Sequence, residues 1–355
     1  MRDKILVVGG YGKVGQVICK DLGSKFPRKV IAAGRNYEKA RRFAQKSNGD
    51  ILPLEFDIFA GKDRNKVLEE VFLVVMCVDQ KDIKFIESCL KNGIHYIDIT
   101  ASYNFLAKVK SLQDTAKASD TTAVLSVGLS PGITNLLVKY SKSHLDVLDR
   151  VDISVMLGLG EEHGKAAIEW MIDNINTVFK VIKGGGLKEV KSFEDGKRIA
   201  FPRNLGSRIT YRFNFVEQHI LPKTLNIKTV SHRICFDSKL VTRLLALLKK
   251  LGFFNLLKVT LFRKMIIKIF EKINLGSDLF AAKVDALGKK DGKEIKFECS
   301  ILGNNQSKIT GKITSIIANY IYTKKYPAGV YHIEEIFSIE DIMEELSKYI
   351  EFYHN

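Results

Sequence analysis

The sequence predicts an α/β fold built on a doubly wound parallel sheet, followed by a region of α+β character. Three observations carry this reading. The first 130 residues alternate short apolar runs with stretches of helical period, the pattern of strands joined by crossover helices. One run, Val71-Phe72-Leu73-Val74-Val75-Met76-Cys77-Val78, is apolar throughout, as suits a strand buried on both faces. After Gly132 several strands follow one another without intervening helices, which points to a mostly antiparallel second sheet.

Taken in order, Ile5-Leu6-Val7-Val8 is the first strand, and Gly9 and Gly10 end it. From Lys13 the residues Val14, Val17, Ile18 and Leu22 recur at helical spacing. Gly10-Tyr11-Gly12-Lys13-Val14-Gly15 is thus a G-x-G-x-x-G between a strand and a helix, the context that gives this motif meaning. The first glycine permits a tight turn, the second lets the backbone approach a pyrophosphate, and the third lets helix and strand pack closely. The free N–H groups at the helix start then hold the negative charge. A Rossmann dinucleotide-binding domain follows from that turn.

Residues 29–33, 51–59, 71–78, 95–100 and 122–128 are the next strands, with helices predicted over 37–46, 81–91 and 105–118. Beyond them a strand is predicted over 151–160 and a helix over 165–182. Short strands follow around 188–193, 208–215, 228–236, 283–289 and 293–301. A lysine-rich stretch of helical period, 239–272, interrupts them. Residues 312–325 and 338–350 read as helices around a turn at 326–337.

At 355 residues two domains are expected. The five cysteines, Cys19, Cys77, Cys89, Cys235 and Cys299, are scattered with no C-x-x-C, which argues against a zinc site and a disulfide framework. No metal is expected, and buried thiols in a reducing cytosol give a cytoplasmic location. Met1-Arg2-Asp3-Lys4 leads straight into a strand with no signal peptide, and no run reaches the ~18 apolar residues of a membrane span. The net charge of +16 raises nucleic acid and anionic membrane as partners. Nucleic acid is set aside, because the basic residues are not interleaved with aromatics and no recognition motif is present.

The end of the second strand selects the cofactor. An acid there binds the ribose of NAD, whereas an arginine accommodates the 2′-phosphate of NADP. The chain has Arg35 and Asn36 at that point, so NADPH is expected in preference to NAD. Asp57, after the third strand, either meets the adenine or caps the next element.

With these residues placed, the chain resembles the saccharopine dehydrogenase-like family of NAD(P)-dependent oxidoreductases. The resemblance rests on VVGGYGKVG, VVMCVD, HYIDITASY, VGLSPGITNLL and PAGVYHIEEIF, and covers nearly the whole chain. It implies a Rossmann domain over 1–130 completed by 311–355, with 131–310 inserted as an α+β substrate and dimerisation domain. It also implies hydride transfer at a C–N bond, imine to secondary amine, on an amino-acid-derived substrate. By resemblance, Cys77 and Val78 lie beside the ribose and nicotinamide. Thr100 and Ala101 border the cofactor, and Ser102 and Tyr103 face the substrate. Ser130-Pro131-Gly132 matches an Asp-Pro-Gly loop. Ser130 replaces a carboxylate suited to a substrate ammonium, which puts saccharopine itself in question as the substrate. Asn135 is placed to donate to a substrate polar group. Arg208-x-Thr210-x-Arg212 matches an arginine-bearing strand that grips a substrate carboxylate. A small molecule with a carboxylate and a second copy of the chain are the expected partners.

Tyr103 and His163 are the candidates for the proton. His163 equally reads as a helix-entry residue beside Glu161 and Glu162. His95 reads as structural, and Tyr320-x-x-x-Lys324 as a chance likeness to a catalytic Tyr-Lys pair. Two other functions fit the same pocket: reduction of a lipid or polyketide enoyl group at a membrane surface, and cofactor binding without turnover. Residues 239–272 carry nine Lys or Arg and one Glu, a net +8. Leu240, Leu244, Leu247, Leu248 and Leu251 share one helical face, and Phe262, Ile266, Ile269, Phe270 and Ile273 another beyond Gly252. This pattern suits lysines on the wet side of ordinary packing. It equally suits peripheral membrane contact with Phe253 and Phe254 in the bilayer.

Overall fold

Short apolar runs become strands here because crossover helices cover both faces of one sheet, while hairpin turns build another. The computed structural model describes residues 2–59, 63–161, 164–272 and 276–355. In chain order the first elements are β1 (Lys4–Val8), α1 (Lys13–Lys25), β2 (Val30–Gly34), α2 (Tyr37–Ala44), β3 (Ile51–Glu55) and α3 (Asp63–Leu68). Then come β4 (Val71–Met76), α4 (Lys84–Lys91), β5 (His95–Asp98), α5 (Tyr103–Lys110), α6 (Gln113–Ala118) and β6 (Thr122–Leu125). The middle of the chain holds α7 (Thr134–Ser143), β7 (Val147–Leu157), α8 (Lys165–Asn174), β8 (Val178–Lys183), β9 (Gly186–Lys191), β10 (Lys197–Phe201) and β11 (Gly206–Arg212). It continues with α9 (Glu217–Thr224), β12 (Thr229–Phe236), α10 (Lys239–Lys250), α11 (Thr260–Lys272), β13 (Leu279–Lys290) and β14 (Lys293–Asn304). The last elements are α12 (Gln306–Thr323), β15 (Gly329–His332), α13 (Ile333–Ile336), α14 (Glu340–Leu346) and β16 (Ile350–His354).

The chain forms two units, Met1–Ile133 with Ser307–Phe337 and Thr134–Gln306 with Ser338–Asn355. The first holds a seven-stranded sheet in the order β15-β6-β5-β4-β1-β2-β3. All of its pairings are parallel. Strand order reverses between β1 and β4, and such a switch point leaves a crevice at the carboxyl ends of the strands. α1 lays Ile18, Cys19 and Leu22 into the core. α12 meets α1 at Gly311, where an added Cβ would stand 2.6 Å from that of Val17. Lys312 Nζ, at 2.7 Å, and Ser315 Oγ, at 3.0 Å, both reach Asp21 beside this joint.

The second unit has a mixed seven-stranded sheet, β10-β11-β12-β7-β13-β14-β16, with β8 and β9 as a separate hairpin. β12 and β7 pair in parallel, and the other neighbours are antiparallel. Met156, Ile199, Phe201, Cys235, Ala281 and Leu302 form one of its core clusters.

Several expectations need correction. The turn read at 326–337 contains β15, which pairs Val330 and Tyr331 with Ala123 and Val124 of β6 and so covers an otherwise open sheet edge. The tail assigned wholly to the first domain divides. Residues 338–355 belong to the second unit, because β16 pairs with β14 from Cys299↔His354 to Gly303↔Ile350. The helix expected over 165–182 stops at Asn174, and 178–183 is a strand. Gly184 and Gly185, with φ of +61° and +78°, turn that strand back into β9. The helix expected over 105–118 is two, α5 and α6.

Segment 239–272 does form two helices. Between them lies a 3₁₀ turn entered at Gly252 (φ +77°). Yet Leu240, Leu244, Leu247 and Leu251 are exposed, while Thr242 and Leu245 of α10 are buried. Of the phenylalanine pair only Phe253 is exposed, since Phe254 is packed inside. Ile267 of α11 packs on Ile168 and Ile172 of α8. Ile273 lies outside the described residues. No helix among the described residues is long and apolar enough to cross a membrane.

Candidate dinucleotide-binding site

β1 ends in Gly9 at φ +83°, and the chain turns into α1 through a cradle that tolerates no side chains. A Cβ on Gly10 would lie 2.7 Å from Ala32 Cα, and one on Gly15 only 2.2 Å from the Gly9 carbonyl oxygen. Gly12 is the N-cap of α1, with no side-chain cap and no acid in the first turn. The first amides of any helix have no acceptor one turn back, so a helix start entered through glycines suits an anion. Gln16 donates to the Tyr11 carbonyl at 2.9 Å and steadies the loop. Tyr11 lies against Gly34, where a Cβ would meet its ring at 2.6 Å, and its hydroxyl accepts from the Asn36 amide at 3.1 Å. The turn and the end of β2 are thereby fixed together.

Arg35 and Asn36 stand exposed at that end, and Asn36 also caps α2 by accepting from the Lys39 amide. The nearest acid along the chain, Glu38, is held by Arg41 at 2.9 Å. Asp57 accepts from the Phe59 amide at 2.9 Å in a local turn. Cys77 bonds its amide to the Val8 carbonyl at 2.9 Å, so Cys77 and exposed Val78 follow β4 directly beside Gly9. Burial holds the Cys77 thiol well above its ordinary pKa. Thr100 and Ala101 follow β5, Ser102 is the N-cap of α5, and half-buried Tyr103 is its first residue. Ser130-Pro131-Gly132 forms a tight loop after β6, its Ser-Pro bond cis and Gly132 at φ +138°. Gly10–Gly15, Arg35, Cys77, Val78, Thr100 and the 130–132 loop all lie at or beyond the carboxyl ends of parallel strands.

Sequence reading missed a polar cluster at this edge. Asp98, fully buried at the end of β5, accepts from the Thr100 amide (2.8 Å), Tyr96 Oη (2.9 Å) and Gln80 Nε2 (3.1 Å). Burial pushes its carboxyl up to about 7, against the pull of those hydrogen bonds. The signal was faint: an Asp two residues after a Tyr at a strand end, with Gln80 brought in from the next loop.

Among the other candidates, Asn135 is buried on α7. Arg212 is buried and bonds Asp195 at 3.1 Å, a carboxylate it shares with buried Arg233. Arg208 points elsewhere, donating to the Asp237 carbonyl at 2.5 Å and lining a small cavity beside α10. His163 lies outside the described residues. Glu161 accepts from the Gln306 amide at the start of α12. His95 Nδ1 accepts from the Thr122 amide, a structural role, and Lys324 sits over the Tyr320 ring rather than on its hydroxyl. The described residues contain no cluster of metal-ligating side chains.

A glycine cradle at the switch point of a parallel sheet, with arginine at the end of β2, defines a nicotinamide-dinucleotide-binding unit. Residues 5–124 match the family described as saccharopine dehydrogenase NADP binding domain. Residues 5–124 are therefore an NADP(H)-binding domain of the saccharopine dehydrogenase type, and the chain is an oxidoreductase. Among solved structures it is similar to the apo, histidine-tagged saccharopine dehydrogenase (L-Glu forming) of Saccharomyces cerevisiae. That match has 14% identity and a TM-score of 0.71, over 99% of this chain and 100% of that one, a likeness of fold. It is also similar to the C. glutamicum DAP dehydrogenase in complex with DAP, at 12% identity, TM-score 0.49, and 98% and 99% coverage.

Proposed function

We propose that this oxidoreductase transfers a hydride at the C–N bond of an amino-acid-derived substrate bearing a carboxylate, using NADPH in preference to NADH. The observation that carries the reading is the uncapped α1 N-terminus in its glycine cradle, flanked by Arg35 where an NAD enzyme would hold an acid. The amides that open α1 after Gly12 hold the pyrophosphate, and Arg35 with Asn36 reads the 2′-phosphate. Asp57 borders the adenine side, and Cys77, Val78, Thr100 and Ala101 border the nicotinamide side. When bound, NADPH supplies a hydride to the imine carbon. The protein must therefore align that carbon and deliver one proton to the nitrogen. Tyr103 delivers it in this reading, with Ser102 and the 130–132 loop shaping the substrate side.

For the carboxylate, this reading takes Arg212 rather than Arg208 as the ligand. Two buried guanidinium groups, Arg212 and Arg233, share the single carboxylate of Asp195, whose side chain is mostly exposed. A substrate carboxylate has the same charge and fork geometry. Arg212→Leu should raise KM at least tenfold and leave NADPH affinity in place. Wild-type kinetics in both Arg212→Leu and Arg208→Leu would remove the carboxylate assignment.

The reaction class is tested by following NADPH absorbance with mixtures of amines and 2-oxo acids, and separately with enoyl thioesters. Loss of absorbance with an amine and oxo-acid pair is expected. Turnover of enoyl thioesters alone, or NADPH binding with no turnover across both sets, would replace this reading by one of the two alternatives.

A further inference from the structure

The leucine row of α10 faces water, which a helix folded for packing alone does not do. Leu240 is 77% exposed and Leu251 71%, with exposed Leu244 and Leu247 between them at helical spacing. The row continues through Phe253 and Leu256 of the connecting turn and Val259, then along α11 through Leu261 (79% exposed), Met265 and Ile269. Exposed apolar rows on two helices, joined through an exposed apolar turn, mark an interaction site. It is set in positive charge, with Lys239, Arg243, Lys250, Lys258, Lys264 and Lys268 all exposed in the same segment.

At the start of α10 the charge is gathered into a cavity of about 90 Å³. Arg198, Arg208, Lys239 and Arg243 line it together with Ser207 and Thr242, and no acidic side chain does. Arg208 Nε is buried there without a hydrogen-bond partner among the described residues. Four cations, the Ser207 hydroxyl and a donor awaiting an acceptor suit a phosphate group, while the Thr242 hydroxyl is held by Phe236 and Ser238.

We propose that the α10–α11 face docks on an anionic phospholipid surface, with a lipid phosphate seated in the cavity at the start of α10 and the leucine row in the acyl boundary. Charge complementarity selects this occupant. A second copy meeting the same patch across a two-fold axis would set a net +8 segment against another net +8 segment. Nucleic acid would satisfy the lysines and leave the leucines in water. A free phosphate would fill the cavity and leave the apolar row uncovered.

The test is co-sedimentation with phosphatidylcholine vesicles, with and without phosphatidylserine, at low and high salt. Three proteins are compared: the wild type, Leu240→Ser/Leu244→Ser and Lys239→Ala/Arg243→Ala. The wild type should bind the anionic vesicles in a salt-sensitive way and ignore the neutral ones. Removing the two charges should weaken binding about fivefold for each charge. Removing the two leucines should weaken it roughly tenfold for each. An unchanged circular-dichroism spectrum and thermal unfolding curve in both variants show that they remain folded. Equal binding to both vesicle types, no binding at low salt, or undiminished binding by the leucine variant would overturn the proposal. So would a wild-type dimer that the leucine variant converts to monomer, which would make a second copy the occupant. Thermal stabilisation by inorganic phosphate in both the wild type and the leucine variant, without vesicle binding, would reduce the cavity to a free-anion site and overturn it as well.

Discussion

Arg35 stands alone among the cofactor candidates in having one testable charge-specific task. A charge-assisted hydrogen bond to a 2′-phosphate is worth about 1.5–3 kcal/mol. Arg35→Ala should therefore weaken NADPH about ten- to a hundredfold and leave NADH nearly unchanged. Equal loss for both cofactors in a fluorescence titration would remove the assignment. Asp98 makes a different prediction. Its carboxyl titrates near 7 in the fold and near 4 when unfolded, because burial disfavours its charge. Between those values the folded protein holds a proton that the unfolded chain has released. Its contribution is thus fully present below about pH 4 and lost as pH rises towards about 7, an effect on the order of a few kcal/mol. Asp98→Asn should flatten the stability profile between pH 5 and 8 and gain on the wild type at the upper end. Parallel profiles in chemical denaturation would show that the carboxyl is not held high. The position of Arg35 was legible, because the apolar run of β2 before it marks where the second strand ends. Asp98 was not, because its partners Gln80 and Thr100 come from separate loops.

At the scale of elements, Gly311 decides how closely α12 lies on α1. Alanine there would gain about 1 kcal/mol of helix propensity. The same Cβ would stand 2.6 Å from Val17 Cβ and 3.1 Å from the Val14 carbonyl oxygen, neither of which is the far end of a flexible side chain. Overpacking of that kind costs about 1–3 kcal/mol, so the expected net effect of Gly311→Ala is destabilising. A raised Tm would mean that the two helices can separate at little cost. The edge strand β15 is held by a second buried contact, Ser126 Oγ to His332 Nδ1 at 2.9 Å. Burial depresses the His332 pKa to about 3, so its stabilising effect is complete above about pH 6.5 and declines as pH falls towards that value.

For the whole molecule, the C-terminal eighteen residues test the division into units. β16 closes one edge of the second sheet, and Phe352 packs edge-on against Tyr140, 5.3 Å between ring centroids. Ending the chain after Phe337 should destabilise the second unit and leave NADPH affinity within about twofold, since the cofactor cradle lies in residues of the first. Equal loss of NADPH binding and of global stability would show that the units do not fold independently. The same division explains why the tail misled: both of its halves carry strand-forming residues, and nothing in their period says which sheet each half joins.

Local chemistry alone determined the βαβ order of the first 130 residues, the glycine turn into α1, the arginine at the end of β2 and the amphipathic character of 239–272. Each is a property of neighbouring residues, set by side-chain period and by the conformations that glycine permits. Tertiary structure alone decided that Val330 and Tyr331 extend the parallel sheet, that Arg212 and Arg233 share Asp195, and that the leucines of α10 face water. Period shows that a strand or a helix has two faces. Which face or edge meets a partner depends on segments far apart in the chain, such as β6 with β15 or β14 with β16, and no local pattern encodes that choice.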